Sequence, residues 1–237
     1  MDGFDSLWPG GPRFRQAGEG FPLSTDSVLL AHFASGLRAG SIIDLGCGAG
    51  VLTVLLSAYY PGVRVEGLEI QPAAAELCRE NMRENGFDAE GIINMDMRLC
   101  KESLRAGGYD MVVSNPPYFP VKSGYLAPEE TRAIARDERF CTLAQLCETA
   151  AYLCRWGGSF LLVHRPERLS EIFCAMTANG LEPKRLRLVQ YSSEKAPNLA
   201  LVEARRGGKP GLRIEPPLIL TENGADTPEI RKIYHRG

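Results

Sequence analysis

Four consecutive residues, Asn115-Pro116-Pro117-Tyr118, have the makings of a reaction site. The Asn115 side-chain carbonyl and the Pro116 backbone carbonyl can each accept a hydrogen bond, so together they can take both hydrogens of an amino group. The groups that need such help are planar nitrogens, whose lone pair is delocalised into a ring or a carbonyl and is a poor nucleophile. Two acceptors held in place favour the pyramidal nitrogen and aim its lone pair, stabilising developing charge with groups already oriented. The prolines stiffen the turn, and Tyr118 offers a ring on which a planar substrate can stack. On this reading Asn115, Pro116, Pro117 and Tyr118 form the catalytic group, with no separate base, because the amine sheds its proton after it has reacted.

A second constellation lies upstream, at Asp44-Leu45-Gly46-Cys47-Gly48-Ala49-Gly50. Alternate glycines let the backbone turn sharply and let a ligand lie against it. The turn opens a helix, whose free N–H groups favour anionic ligand atoms. About 20 residues on, Glu69 ends the next β-type run, where a carboxylate can hold both hydroxyls of a ribose. A dinucleotide fingerprint needs G-x-G-x-x-G, but position 51 is Val51 and the pattern is G-x-G-x-G behind an acid. Asp44 would repel a pyrophosphate and suits a ligand bearing an ammonium or sulfonium. S-adenosylmethionine has that cation, a ribose and no phosphate. Asp44, Gly46, Cys47, Gly48, Gly50, Glu69 and Ile70 are therefore expected to bind it, with Asn115 beside them. Asp96, ending a third β-type run, is placed to accept from its adenine amine.

With these residues in view, the chain resembles class I methyltransferases of the NPPY type, and in particular the bacterial tRNA(Val) adenine-N6 methyltransferases. The resemblance rests on Phe21 to Ala31, on the glycine turn, and on Asn115-Pro116-Pro117-Tyr118-Phe119 followed by Arg132 and Ala135-Arg136-Asp137-Glu138. It extends to Pro216-Pro217-Leu218 and Tyr234 in the tail. It implies adenine N6 as the methyl acceptor, with residues 115–118 around it, and tRNA, through its anticodon loop, as the partner. The same four-residue motif serves enzymes that methylate a glutamine amide in release factors. Those carry a helical N-terminal domain, for which residues 1–39 leave little room. A non-catalytic cofactor- or RNA-binding protein is disfavoured by the intact set Glu69, Asp96 and Asn115 to Tyr118.

The elements that must position these residues follow from the pattern. From residue 40, short β-rich runs alternate with helical periods, which predicts a doubly wound, mostly parallel α/β sheet of seven strands, Rossmann-like in kind. The runs are 41–45, 63–70, 90–95, 109–114 and 159–163, with helices over 49–60, 72–86, 142–155 and 166–179. Two further runs, 186–191 and 199–204, lie too close for a crossover helix and predict an antiparallel hairpin at one edge. Thr25-Asp26 before Val28-Leu29-Leu30-Ala31 reads as a helix cap, and 228–234 as a short closing helix. The chain reads as one methyltransferase domain, with 1–39 a lead-in and 207–237 an extension.

Composition sets the outer bounds. The 237 residues are 44% hydrophobic and 24% charged, ordinary globular values. The start, MDGFDSLWPGG, has acid and glycine where a signal peptide needs base and a greasy stretch, which predicts a cytoplasmic protein. Seven cysteines without a C-x-x-C pair read as reduced thiols, and three histidines without ligand spacing argue against a metal. The net charge of −2 hides an uneven distribution, because residues 184–213 hold eight basic and two acidic side chains. Lys184, Arg185, Arg187, Arg205 and Arg206 are thus expected to face substrate phosphates. Lys122, Arg132 and Arg136, in the loop after the motif, are further substrate candidates.

Overall fold

A computed structural model describes residues 4–15, 25–118 and 141–236. Strands β1 (Phe4–Ser6) and β2 (Arg13–Arg15) pair as a small antiparallel hairpin. Helix α1 (Thr25–Ala34) precedes strand β3 (Ser41–Leu45), helix α2 (Val51–Tyr59), strand β4 (Arg64–Glu69), helix α3 (Pro72–Glu84) and strand β5 (Ile92–Asn94). A 3-10 turn at Met97–Glu102 leads to β6 (Tyr109–Ser114), α4 (Leu143–Leu153) and β7 (Cys154–His164). A second such turn, Pro166–Arg168, runs into α5 (Leu169–Ala178), followed by β8 (Leu181–Gln190) and β9 (Leu199–Arg206). Short strands β10 (Arg213–Ile214), β11 (Leu218–Ile219), β12 (Thr221–Glu222) and β13 (Ala225–Asp226) lead to α6 (Pro228–Ile233).

The main sheet runs β8-β9-β7-β6-β3-β4-β5, with β10 and β11 both pairing the outer side of β8. Strands β5, β4, β3, β6 and β7 are mutually parallel, and β9 runs antiparallel to both β7 and β8. The seven-strand frame and its antiparallel hairpin are those the sequence pattern predicts, and the two short strands bring the sheet to nine. Neighbouring residues of β3 show the double winding. Ile42 joins a core with α1, α2 and α6, while Ile43 joins one with α4 and α5. Successive side chains of a strand face opposite ways, so both faces of this strand must be apolar.

Local chemistry fixes the ends of the elements. Gly50 starts α2 at φ 86, a left-handed conformation that favours glycine. Pro72 takes the first position of α3, where its missing N–H costs nothing. Thr142 and Gln145 form a reciprocal capping box on α4. Among the described residues no helix is long and apolar enough to cross a membrane. Five of the seven free thiols are buried, Cys141 is half-buried and Cys174 is exposed.

Candidate acceptor and cofactor site

The residues that the sequence singled out for cofactor and acceptor gather where the parallel strands end. Ser114 closes β6 and donates through its hydroxyl to the Leu45 carbonyl at 2.7 Å, tying the start of the acceptor motif to the glycine turn. In that turn Gly46, Gly48 and Gly50 have φ of 76, 54 and 86. The N–H groups of Gly46 and Cys47 both donate to the Leu68 carbonyl at 2.8 and 3.0 Å, so the turn hangs on the end of β4. Glu69 completes the tie, since one carboxylate oxygen accepts from Gly48 N at 2.9 Å and the other from Gln71 N at 2.8 Å. Each oxygen keeps a lone pair free for another donor.

A cleft opens between these elements. Gly46, Glu69 and Ile70 line one side, Pro116 and Pro117 another, and Met97, Cys141 and Leu146 close it with apolar surface. Gln71, Met97 and Leu146 are lining residues that the sequence reading missed. Gln71 stands two positions after Glu69, and proximity to that acid was the signal for it.

Asp44 is buried, and the Thr53 hydroxyl donates to one of its oxygens at 2.8 Å. Among the described residues the other oxygen has no hydrogen-bond partner. Burial is the main force on this carboxyl and Glu69 adds repulsion, against the Thr53 bond, pushing it up to about 7. An acid so placed is short of a cationic neighbour. The orphaned oxygen, the open glycine backbone and the ribose-competent Glu69 together fit the S-adenosylmethionine that the spacing predicts. Asp96 directly precedes Met97, which lines the cleft. It caps the first 3-10 turn, accepting from the Arg98 backbone at 2.9 Å while the Arg98 guanidinium grips its carboxylate. That charge and those hydrogen bonds hold its carboxyl below the usual range.

The acceptor motif is held from two sides. The Asn115 amide donates to the Ser27 hydroxyl of α1 at 2.9 Å, which leaves its carbonyl oxygen as an acceptor. The Tyr118 hydroxyl donates to Asp26, also on α1, and stands 3.5 Å from the Asn115 carbonyl oxygen. Burial and the Asp26 carboxylate raise the Tyr118 phenol far above its ordinary value, so it stays protonated. The Tyr118 ring meets His164 edge-on at 5.4 Å and carries the Arg165 guanidinium 4.7 Å from its centroid. Ser27, His164 and Arg165 went unseen in the sequence, because nothing in their spacing links residues so far apart along the chain. The stretch around residues 24–26 read as a helix cap and as part of the family resemblance, with no contact to the acceptor motif.

Most of the expected phosphate patch is redirected by the structure. Arg185 pairs with Glu203 at 2.8 Å, donates to the Phe33 carbonyl at 2.7 Å and lies 3.7 Å from the Phe33 ring centroid. Arg187 grips Glu229 with two bonds of 2.7 and 2.8 Å. Arg206 donates to the Cys154 carbonyl at 2.7 Å, and Lys184 to the Lys209 carbonyl at 3.0 Å. Arg205 is exposed, but β9 runs antiparallel and sets it opposite Ser159, at the far edge of the sheet from Asn115. Of these five, four thus brace the fold, and Arg205 stands away from the acceptor motif. Lys122, Arg132 and Arg136, together with Phe119, lie outside the described residues.

Strand order, glycine turn and acceptor motif together define a Rossmann-like methyltransferase. Solved structures agree on the fold. A predicted O-methyltransferase from Agrobacterium tumefaciens superposes with a TM-score of 0.73 at 23% identity, covering 89% of this chain and 96% of that one. The Thermus thermophilus 16S rRNA N2 G1207 methyltransferase, in complex with AdoMet and guanosine, gives 0.58 at 20% identity over 86% of this chain and 49% of that one. At the level of sequence, a protein named tRNA1(Val) (adenine(37)-N6)-methyltransferase from Porphyromonas gingivalis is 34% identical over 80% of this chain and 76% of its own. One of the same name from Vibrio cholerae is 32% identical over 86% and 82%. The methyltransferase small domain matches residues 24–168, and the chain belongs to that family.

Proposed function

We propose that the protein methylates the exocyclic N6 of adenine in tRNA, in the cytoplasm, with S-adenosylmethionine as the methyl source. The observation that carries this is the shared cleft, which has the glycine turn and Glu69 on one side and Pro116 and Pro117 on the other. Cofactor and acceptor can therefore meet in one cavity. The relatives' common name supplies adenine and tRNA.

When bound, S-adenosylmethionine supplies an electrophilic methyl group on a sulfonium. The chain does the rest by holding. Glu69 would take the ribose hydroxyls, the glycine turn would hold the amino-acid part, and the buried Asp44 carboxylate behind that turn would offset the charge of its ammonium. Asn115 and the Pro116 carbonyl accept the two hydrogens of the adenine amine, and the Ser27 hydroxyl keeps the Asn115 carbonyl turned towards them. Tyr118, anchored by Asp26, gives the base a surface to stack on. A base in an anticodon loop can leave its stack at modest cost to reach this cavity. The amine proton leaves to water once the nitrogen has reacted.

The test is to incubate the protein with labelled S-adenosylmethionine and tRNA, digest the product and separate its nucleosides. Label is expected in N6-methyladenosine. The Asn115→Ala variant should lose about 100- to 1000-fold in kcat while binding the cofactor as before. Label found only in a release-factor protein, or full turnover by Asn115→Ala, overturns the reading.

A further inference from the structure

With Lys184, Arg185, Arg187 and Arg206 engaged by the fold and Arg205 set opposite Ser159, away from the acceptor motif, other groups must meet the phosphates beside the target base. Arg165 is the residue after β7, whose end lies beside the end of β6 where the acceptor motif begins. Its side chain is exposed, and its guanidinium lies on the Tyr118 ring. One of its nitrogens donates to the Asn198 carbonyl at 3.1 Å. Among the described residues Arg165 forms no ion pair, in contrast to Arg168 three positions on, which is paired with Glu171. A guanidinium has five N–H donors in a planar fork suited to phosphate, and most of this fork is open.

Asn198 ends the β8–β9 loop, at the same edge of the sheet. The loop is braced from within, by Gln190 to the Lys195 carbonyl at 2.8 Å and by Asn198 N to the Val189 carbonyl at 3.0 Å. Thr221 ties it to the tail through the Tyr191 carbonyl at 2.9 Å. The loop presents Tyr191, 59% exposed although aromatic, and Lys195, exposed and without an ion pair among the described residues. An exposed ring beside open cations is what a splayed nucleotide strand needs, because bases stack on the ring while phosphates meet the charge.

We propose that Arg165, Tyr191 and Lys195 form the rim on which the RNA backbone docks, with Arg165 taking the phosphate next to the extruded base. This rests on the reading of an RNA substrate. Glu167 and Glu194 share these loops, so the rim is no broad positive field, in keeping with a net charge of −2. It offers local contacts to about two phosphates, and the Arg165 contact is linked directly to the ring that receives the base.

The experiment compares Arg165→Ala, Lys195→Ala and Arg205→Ala with the wild-type chain, measuring KM for tRNA across a range of salt concentrations. Arg165→Ala and Lys195→Ala are each expected to raise KM about ten-fold and to reduce the slope of log affinity against log salt by about one. Arg205→Ala removes the same charge at the opposite edge and should change neither. The proposal is overturned if both rim variants keep the wild-type KM and slope. It is equally overturned if Arg165→Ala loses only kcat, for then Arg165 merely props Tyr118. Failure of the wild-type chain to methylate any RNA would show in its own lane, and would remove the underlying function together with the rim.

Discussion

Two buried titratable groups pull stability in opposite directions with pH. Asp44 stands at about 7 against an ordinary 3.8, so the fold favours its neutral form. Its contribution is complete below 3.8 and is lost as pH rises through 7. His164 is pushed down to about 4 from 6.5, chiefly by burial with Arg168 adding to it, so the fold favours the neutral ring. That contribution is complete above 6.5 and is lost as pH falls through 4. The cofactor-free protein should therefore weaken across both limbs. Asp44→Asn is expected to flatten the upper limb, which amounts to at most about 4 kcal/mol, and to leave the acid limb standing, as read from urea midpoints between pH 4 and 8. An unchanged upper limb in that variant would mean that the Asp44 carboxyl is not the group responsible. The sequence showed Asp44 as an acid beside a ligand, but not its orphaned oxygen or the Thr53 bond, which arise only when α2 packs on β3.

At the scale of elements, Gly48 and Gly50 of the turn have different jobs. A Cβ on Gly50 would stand 2.6 Å from the Cys78 sulfur and 3.3 Å from the Cys78 Cα, so α3 would have to move off the turn. A Cβ on Gly48 would meet nothing within 4 Å and would only strain φ. Gly50→Ala is expected to cost about 2–4 kcal/mol, from left-handed strain and overpacking together, and Gly48→Ala about 1–2. Chemical denaturation of both variants checks the ordering, and equal losses would refute the packing account. The parallel strands were legible because short, mostly buried β-rich runs such as Ile42-Ile43 and Met111-Val112-Val113 are closed within a few residues by glycine or proline. The start of β8 was not. The predicted run began only at residue 186, after Pro183, yet the strand starts at Leu181 and its register shifts between Pro183 and Arg185, an irregularity at which a strand tolerates proline. The β1–β2 hairpin and the two-residue strands of the tail are too short for any period to show. The acceptor motif and glycine turn were legible for a different reason, since each is contiguous. The Ser27 and Asp26 contacts join residues 88 and 92 apart along the chain, the His164 contact reaches from β7 to Tyr118, and only the fold brings them together.

For the whole molecule, the tail holds the beginning. Arg187 on β8 grips Glu229 of α6, and Ile230 and Ile233 of that helix enter the core shared with α1. Arg185 reaches the last turn of α1 at Phe33, and the rings of Trp8 and His235 stack at 4.7 Å. Arg187→Met should lower stability by about 1 kcal/mol, because the Glu229 side chain is 43% exposed and water screens the pair. A thermal melt of that variant, with the wild-type chain as reference, checks it, and no shift would mean that the tail is held by its apolar contacts alone. The helix that steadies Asn115 and Tyr118 is thus made well before the strand and helix that secure it. Until β8 and α6 have been synthesised, a growing chain already has the turn for the cofactor and the acceptor motif, but no clamp on α1. Competence for methyl transfer then waits for α6, and chains stalled before it hold both motifs without the means to use them.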